Sequence, residues 1–253
     1  MSKPFVVVQL SDSHIGAEWG GGDPVARLAA AVDSVRALDT APDAVLFTGD
    51  LADHATDDEY QQVRELLGPL GAPLYVLPGN HDDRGALRRH FDVPGADGDP
   101  VQYTADLGPL RLVVIDSTRP GEDPGELDHG RLAWLDAALS SAPETPTLLA
   151  LHHAPLVTGI PAMDEVGLAA AGRRALGAVV ERHPQVSRIV AGHMHRIITA
   201  ELAGRCVLAV PSTYVQLGLR FGPGEVEITD DPAAFAVHAL IDGELISHVE
   251  PVR

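Results

Sequence analysis

Phe5-Val6-Val7-Val8-Gln9-Leu10-Ser11-Asp12-Ser13-His14 passes within ten residues from an apolar run to a carboxylate and an imidazole. The run, Phe5 to Leu10, is short and rich in valine, which reads as a buried strand that delivers Asp12-Ser13-His14 at its carboxyl end. The same transition recurs four times. Ala44 to Phe47 precedes Gly49-Asp50, and Leu74 to Leu77 precedes Gly79-Asn80-His81-Asp82. Thr147 to Leu151 precedes His152-His153, and Arg188 to Ala191 precedes Gly192-His193-Met194-His195. Ligands of an open α/β sheet bind beyond the carboxyl ends of its strands, so five such tips can converge on one crevice. That convergence points to an enzyme.

The segments between the tips read as an α/β protein that turns β-rich late. Asp23-Pro24 is a helix start, an N-cap oxygen followed by a residue preset for the first helical position, and Val25, Leu28, Ala29, Val32 and Val35 continue one buried stripe. Thr56-Asp57-Asp58-Glu59 matches a capping box, with Tyr60, Val63, Leu67 and Leu70 on one face. Further helices are predicted over 129–140 and 166–181. Leu110 to Ile115 reads as a buried strand, paired antiparallel with Val101 to Asp106 across Leu107-Gly108-Pro109. Beyond Gly192 the stretches 197–202, 205–210, 225–229, 235–241 and 245–249 are strand-like, and Asp242-Gly243 predicts a two-residue type I′ hairpin turn. This order suggests two sheets packed face to face with helices outside, in one domain over 1–253 whose C-terminal β-rich part is 197–253.

Composition narrows the partners. With 18 Lys and Arg against 36 Asp and Glu, the formal charge is -18, which repels phosphate backbones and anionic bilayers and argues against a nucleic-acid polymer or a membrane. Bound cations would offset the charge locally and could still attract a small phosphorylated substrate. Cys206 is the single cysteine and cannot form an intrachain disulfide. Met1-Ser2-Lys3-Pro4 leads straight into the first strand without the pattern of a leader, and no apolar run approaches the roughly 18 residues of a membrane span. The expectation is a cytoplasmic protein.

The five tips carry oxygen donors in Asp12, Asp50 and Asn80 and imidazoles in His14, His152, His193 and His195, with no thiolate. Mixed imidazole and carboxylate sets suit iron, manganese, zinc or cobalt. One carboxylate can touch two ions through its two oxygens and hold them roughly 4 Å apart, the separation used for in-line displacement at phosphorus. Taken singly, Asp50 could be a turn residue, Asn80 a helix cap, and His193 with His195 a sheet-edge pair; their joint occurrence favours ligation.

Together these stretches, from 12 to 195 and in the same order, resemble the complete signature of the calcineurin-like metallophosphoesterases. The resemblance implies a four-layer α-β-β-α sandwich of two mixed sheets, with Asp12, His14 and His195 on a first ion, Asn80, His152 and His193 on a second, and Asp50 bridging. Gly79-Asn80-His81-Asp82, His152-His153-Ala154-Pro155 and Pro211-Ser212-Thr213 are most similar to class III cyclic nucleotide phosphodiesterases and bacterial glycerophosphodiesterases. The expected activity is therefore hydrolysis of a small phosphodiester by a hydroxide held at the dinuclear centre, since metal binding lowers the pKa of water from about 15.7 towards neutrality. Phosphomonoester hydrolysis on the same site is the second expectation, and a non-catalytic scaffold with this fold is the alternative from another class. His81, beside a ligand, would steady phosphoryl oxygens or protonate the departing alkoxide, while Asp82 would orient His81 or cap the following helix.

The remaining residues receive plainer readings. His153 is expected behind the ligands or at the substrate edge, and the turn Asp53-His54-Ala55 departs from the Asp-x-Gly of many relatives. His90, His129, His183, His238 and His248 read as solvent-facing or satisfied core residues. Asp116 and Ser117 could support the site or cap a strand end, and Ile160 to Glu165 reads as a specificity loop. The resemblance also places self-association, as a homodimer or higher homo-oligomer, at residues 214–221 and the Asp242-Gly243 hairpin.

Overall fold

The computed structural model describes residues 3–253; Met1 and Ser2, on which part of the reading of the N-terminus falls, lie outside the described residues. The first third of the chain alternates strand and helix: β1 (Phe5–Leu10), α1 (Pro24–Arg36), β2 (Ala44–Phe47), α2 (Asp57–Leu67), β3 (Leu74–Val76) and α3 (Arg84–His90). The middle follows with β4 (Tyr103–Asp106), β5 (Arg111–Val114), α4 (His129–Ser140), β6 (Thr147–His153), α5 (Pro161–Val166), α6 (Ala170–Val180) and β7 (Val186–Gly192). The remainder is β8 (Ile198–Leu202), β9 (Arg205–Ala209), β10 (Gln216–Leu217), β11 (Ile228–Thr229), β12 (Ala234–Ile241) and β13 (Glu244–Pro251).

Two mixed sheets result. One has the order β13-β12-β1-β2-β3 and the other β4-β5-β6-β7-β9-β8, with β10 and β11 forming a small separate ribbon. The tip-bearing strands are parallel within each sheet, β1 to β2 to β3 in the first and β5 to β6 to β7 in the second, so their carboxyl ends share an edge. Strand alternation sorts the apolar side chains into three layers. Val6, Val8 and Leu10 face α1 and α2, packing with Leu28, Val32 and Val63. Val7 and Leu46 face the second sheet, meeting Leu112, Leu148 and Val190. Leu149, Leu151 and Ile189 face outward onto Leu135 and Leu139 of α4 and Leu176 of α6. Helices, sheet, sheet and helices therefore stack as the expected four layers. Each fully buried leucine or valine contributes roughly 1.5–3 kcal/mol to holding them together.

Local chemistry sets the element ends. Asp23 accepts from Val25 N with Pro24 at the first turn of α1, and the Thr56–Glu59 capping box closes reciprocally at the start of α2. Asp242 and Gly243 both have positive φ, 50° and 89°, as the β12–β13 hairpin requires. Three expectations are corrected. The helix expected over 166–181 starts later, as α6 from Ala170, because the backbone at Gly167 is extended and Val166 closes α5 instead. The 160–165 segment read as a loop is the helix α5 from Pro161, seated by buried Met163. The strand expected over 225–229 shrinks to the two residues of β11. Among the described residues no helix is long and apolar enough to cross a membrane.

Candidate metal centre

The backbone at the strand tips is in a conformation that side chains ordinarily avoid. Asp12, His14, Asp50, His193 and His195 have φ of 56°, 45°, 52°, 67° and 45°, in the left-handed region where non-glycine residues are uncommon. Such strain persists where surrounding contacts over-determine it, and it gathers at functional sites. The contacts are present here. Asp12 N donates to Gly49 O at 3.0 Å and His14 N to Asp50 O at 3.0 Å, which joins the first tip to the second. His193 N donates to both Asp12 carboxylate oxygens at 3.1 Å, which joins a tip of the second sheet to one of the first. Gly79 and Gly192 permit this closeness. A Cβ at Gly79 would lie 2.1 Å from Asp50 Oδ1, and one at Gly192 would lie 2.0 Å from Ser11 Oγ and 2.7 Å from Asp12 Oδ2.

All seven predicted ligand residues come together. Asp50 Oδ2 stands 3.6 Å from His14 Nε2 on one side and 3.3 Å from His152 Nε2 on the other. His195 Nε2 is 3.1 Å from His14 Nε2 and 3.5 Å from Asp12 Oδ1, and Asn80 Oδ1 is 3.1 Å from His152 Nε2. Donor atoms of Asp12, His14 and His195 lie within 4.8 Å of one another, as do those of Asp12, Asp50 and His152.

Each imidazole is anchored from behind. His14 Nδ1 donates to Asp53 Oδ1 at 2.9 Å, His152 Nδ1 to Thr48 O at 2.7 Å, and His195 Nδ1 to Val215 O at 2.9 Å. His193 Nε2 donates to Val166 O at 3.1 Å. The proton on the rear nitrogen leaves the other ring nitrogen free to present a lone pair inward, the usual arrangement of a metal-binding histidine. His14 and His195 thus face each other nitrogen to nitrogen without a proton to share. Two nitrogens bound at right angles to one ion at about 2.1 Å would sit about 3 Å apart, so the donor set fits a cation.

Charge reinforces the fit. Burial pushes Asp12 and Asp50 up, but His195 and His152 together more than offset this at Asp12, and His152, His14 and His81 hold Asp50 well below the usual carboxylate range. Burial lowers His14, and burial with His153 and His152 nearby takes His193 well below its ordinary value. His152 runs the other way: burial opposes its protonation, yet Asp50 beside it lifts it to about 9. A cation competes with that proton for the same lone pair, so metal binding here would release it.

Around these seven the structure places further groups. His81 is about one-third exposed, and its Nδ1 lies 3.1 Å from Asp53 O and 3.3 Å from Asp53 Oδ1. Burial lowers its pKa, but Asp50 and Asp53 outweigh burial and raise it overall. Asp82 points inward, accepting from Gly79 N, Leu51 N, Ala52 N and Tyr60 Oη, and burial with Asp50 close by raises it to about 6. The residue that caps α3 is Asp83. Asp53 is the residue the sequence did not assign: its Oδ1 collects His14 Nδ1 and Trp19 Nε1 and lies beside His81. Its one signal is an acidic side chain on the tip that already carries Asp50. His153 uses both nitrogens, with Ser117 Oγ at 2.9 Å from Nδ1 and Asp123 O at 2.9 Å from Nε2, so it lies beside His152 and His193 without a free lone pair. Asp116 pairs with buried Arg84 at 2.8 Å. A cavity of about 520 Å³ opens beside Asn80 and His81, bordered further out by Arg84, Asp97, Thr118 and Arg119.

Two packed sheets with imidazoles and carboxylates gathered at one edge define a metallophosphoesterase. Residues 5–196 match the profile of the calcineurin-like phosphoesterases, and the chain belongs to that family of phosphoric ester hydrolases. It is 33% identical over 242 residues to a probable glycerophosphodiester phosphodiesterase of Arcobacter nitrofigilis, covering 92% of this chain and 88% of the other. It is 35% identical to a 3′,5′-cyclic adenosine monophosphate phosphodiesterase of Pseudomonas aeruginosa, covering 90% and 82%. The fold is similar to that of a dimetal phosphatase from Danio rerio, with a TM-score of 0.75, 17% identity, and 99% and 98% of the two chains covered.

Proposed function

We propose that the protein hydrolyses a small phosphodiester at a dinuclear centre in which Asp12, His14 and His195 hold one ion, Asn80, His152 and His193 hold the second, and Asp50 bridges. The observation that carries this is the placement of Asp50 Oδ2 between His14 Nε2 at 3.6 Å and His152 Nε2 at 3.3 Å, where one carboxylate serves both groups. Two ions of the iron, manganese, zinc or cobalt kind supply, when bound, charge neutralisation at phosphorus and a water acidified towards neutral pH.

The chain's own residues do the rest. Asp53 engages His81 through Nδ1, which leaves its Nε2–H for the substrate, and the raised pKa keeps a proton there to give to the departing alkoxide. Asp82 acts at one remove, tying the backbone of the Asp50 and Asn80 tips together. The leaving group occupies the cavity beside Asn80 and His81. Its border of Arg84, Asp97, Thr118 and Arg119 is hydrogen-bonding and, apart from His81, free of aromatic rings, which supports a polyol such as that of a glycerophosphodiester. A cyclic nucleotide is the second reading, favoured by Trp19, which is 45% exposed beside His14 with ring centroids 5.2 Å apart and offers a face for a base.

A panel of glycerophosphodiesters, cyclic nucleotides and phosphomonoesters, assayed after manganese loading with wild type and Trp19→Ala, decides among these. The expected result is diester turnover above monoester turnover, with Trp19→Ala, which also removes a hydrogen bond to Asp53, lowering glycerophosphodiester and cyclic nucleotide cleavage to a similar extent. Dominant monoester turnover overturns the diesterase reading. A selective loss of cyclic nucleotide cleavage in the variant, with that substrate preferred by wild type, reverses the order of the two diesters.

A further inference from the structure

The space between the two sheets is apolar, packed from Val7, Leu46, Leu112, Leu148, Val190 and Leu240. Gln9 and His238 interrupt it. Gln9 lies two residues along β1 from Val7 and so shares its face, and His238 stands opposite Val7 in the β1–β12 register. Both side chains are fully buried. Burying an amide and an imidazole in such a layer is unfavourable unless each is hydrogen-bonded, and an apolar side chain would fill the space equally well. Their presence calls for a role that packing does not supply.

Their hydrogen bonds have one consistent direction. Gln9 Nε2 donates to Thr48 Oγ1 at 2.9 Å and to Ala191 O on β7 at 3.3 Å. A carbonyl oxygen only accepts, so Gln9 Oε1 must face His238 Nε2, 3.0 Å away, and that nitrogen carries the hydrogen. His238 Nδ1 then accepts from Ser247 Oγ at 2.7 Å on half-buried β13. Burial, with Arg188 nearby, holds His238 neutral, as this arrangement requires. At the other end, Thr48 is fixed through both of its polar ends. Its hydroxyl receives Gln9 and donates to Ser11 Oγ at 2.8 Å, and its carbonyl takes the rear proton of His152 at 2.7 Å. Gln9 lies three residues before Asp12, and Ala191 lies two before His193.

We infer that Gln9, held in place by His238, is a positioning residue of the metal centre: it locks the two sheets in register and fixes Thr48, and through Thr48 the ring of His152. The inference rests on the assignment of His152 to the second ion. It concerns the spacing of ligands that come from different sheets, Asp12 and Asp50 from one and His152 and His193 from the other.

The test is manganese binding, by titration calorimetry and elemental analysis, to wild type, Gln9→Met, Thr48→Val, Thr48→Ser and the Gln9→Met/Thr48→Val double variant, each checked for a cooperative melt. The expected result is that Gln9→Met and Thr48→Val each weaken one of the two ions by about 10–100-fold, as loss of a partner behind a ligand does elsewhere, and leave the other within about twofold. Thr48→Ser, which keeps the hydroxyl, should bind both ions as wild type does, and the double variant should lose no more than either single one. A folded Gln9→Met that binds both ions like wild type overturns the inference, as does equal weakening at both sites. If Gln9→Met does not fold, Thr48→Val against Thr48→Ser carries the same two outcomes. Fewer than two ions on wild type defeats the dinuclear reading itself, and is seen without any variant.

Discussion

His81 is accessible where the neighbouring imidazoles are buried, and although burial lowers its pKa, Asp50 and Asp53 outweigh burial and raise it. Removing it should therefore act on the leaving group. His81→Ala is expected to lower kcat by about 10²–10⁴-fold on a diester with an alkoxide leaving group, and far less on one that releases p-nitrophenolate. Equal losses on both substrates would refute the proton donor. His238 gives a separate prediction for stability. Burial with Arg188 nearby pushes its pKa from 6.5 down to about 3, so the folded chain refuses a proton that the unfolded chain accepts. Its contribution is full above about 6.5 and declines as the pH falls towards about 3. Melting temperature should fall more steeply over that interval for wild type than for His238→Gln, whose amide can replace both hydrogen bonds; parallel curves would contradict this. The seven residues proposed as ligands were legible because each sits at the end of an apolar run. Asp53 and Gln9 were not: one gains its partners only when the tip folds back over His14, and the other lies inside a run that reads as strand.

Capping signals and strand alternation carry across a few residues and were readable for that reason. The Thr56–Glu59 box was evident in sequence, and Thr56→Ala should cost about 1 kcal/mol. In a chain of this length, that lowers Tm by about 2–4 °C, readable by calorimetry with metal binding unchanged. An unchanged Tm would show the cap to be idle. The β1–β2–β3 alternation with α1 and α2 was clear for the same reason, as was the β12–β13 hairpin turn at Asp242-Gly243. Periodicity misled at the start of the helix expected over 166–181: Leu168 lies eight residues before Leu176, in helical phase with it, yet the chain is extended at Gly167 and α6 begins only at Ala170. The short β10–β11 ribbon depends on pairing between Gln216 and Thr229, a contact with no local signal.

The four layers place strand ends from two sheets at one edge, and this is what lets residues as distant as Asp12 and His193 share a hydrogen bond. A formal charge of -18 repels polyanions from the molecule as a whole, while cations held at the proposed centre would attract a small anionic substrate locally. Whether the tips cage two ions is most directly answered by anomalous diffraction from crystals of wild type and Asp50→Ala grown with manganese. Wild type should show two peaks roughly 4 Å apart on either side of Asp50, and the variant should lose one or both. A single peak in wild type, or two undiminished peaks in Asp50→Ala, would contradict the bridged dinuclear centre.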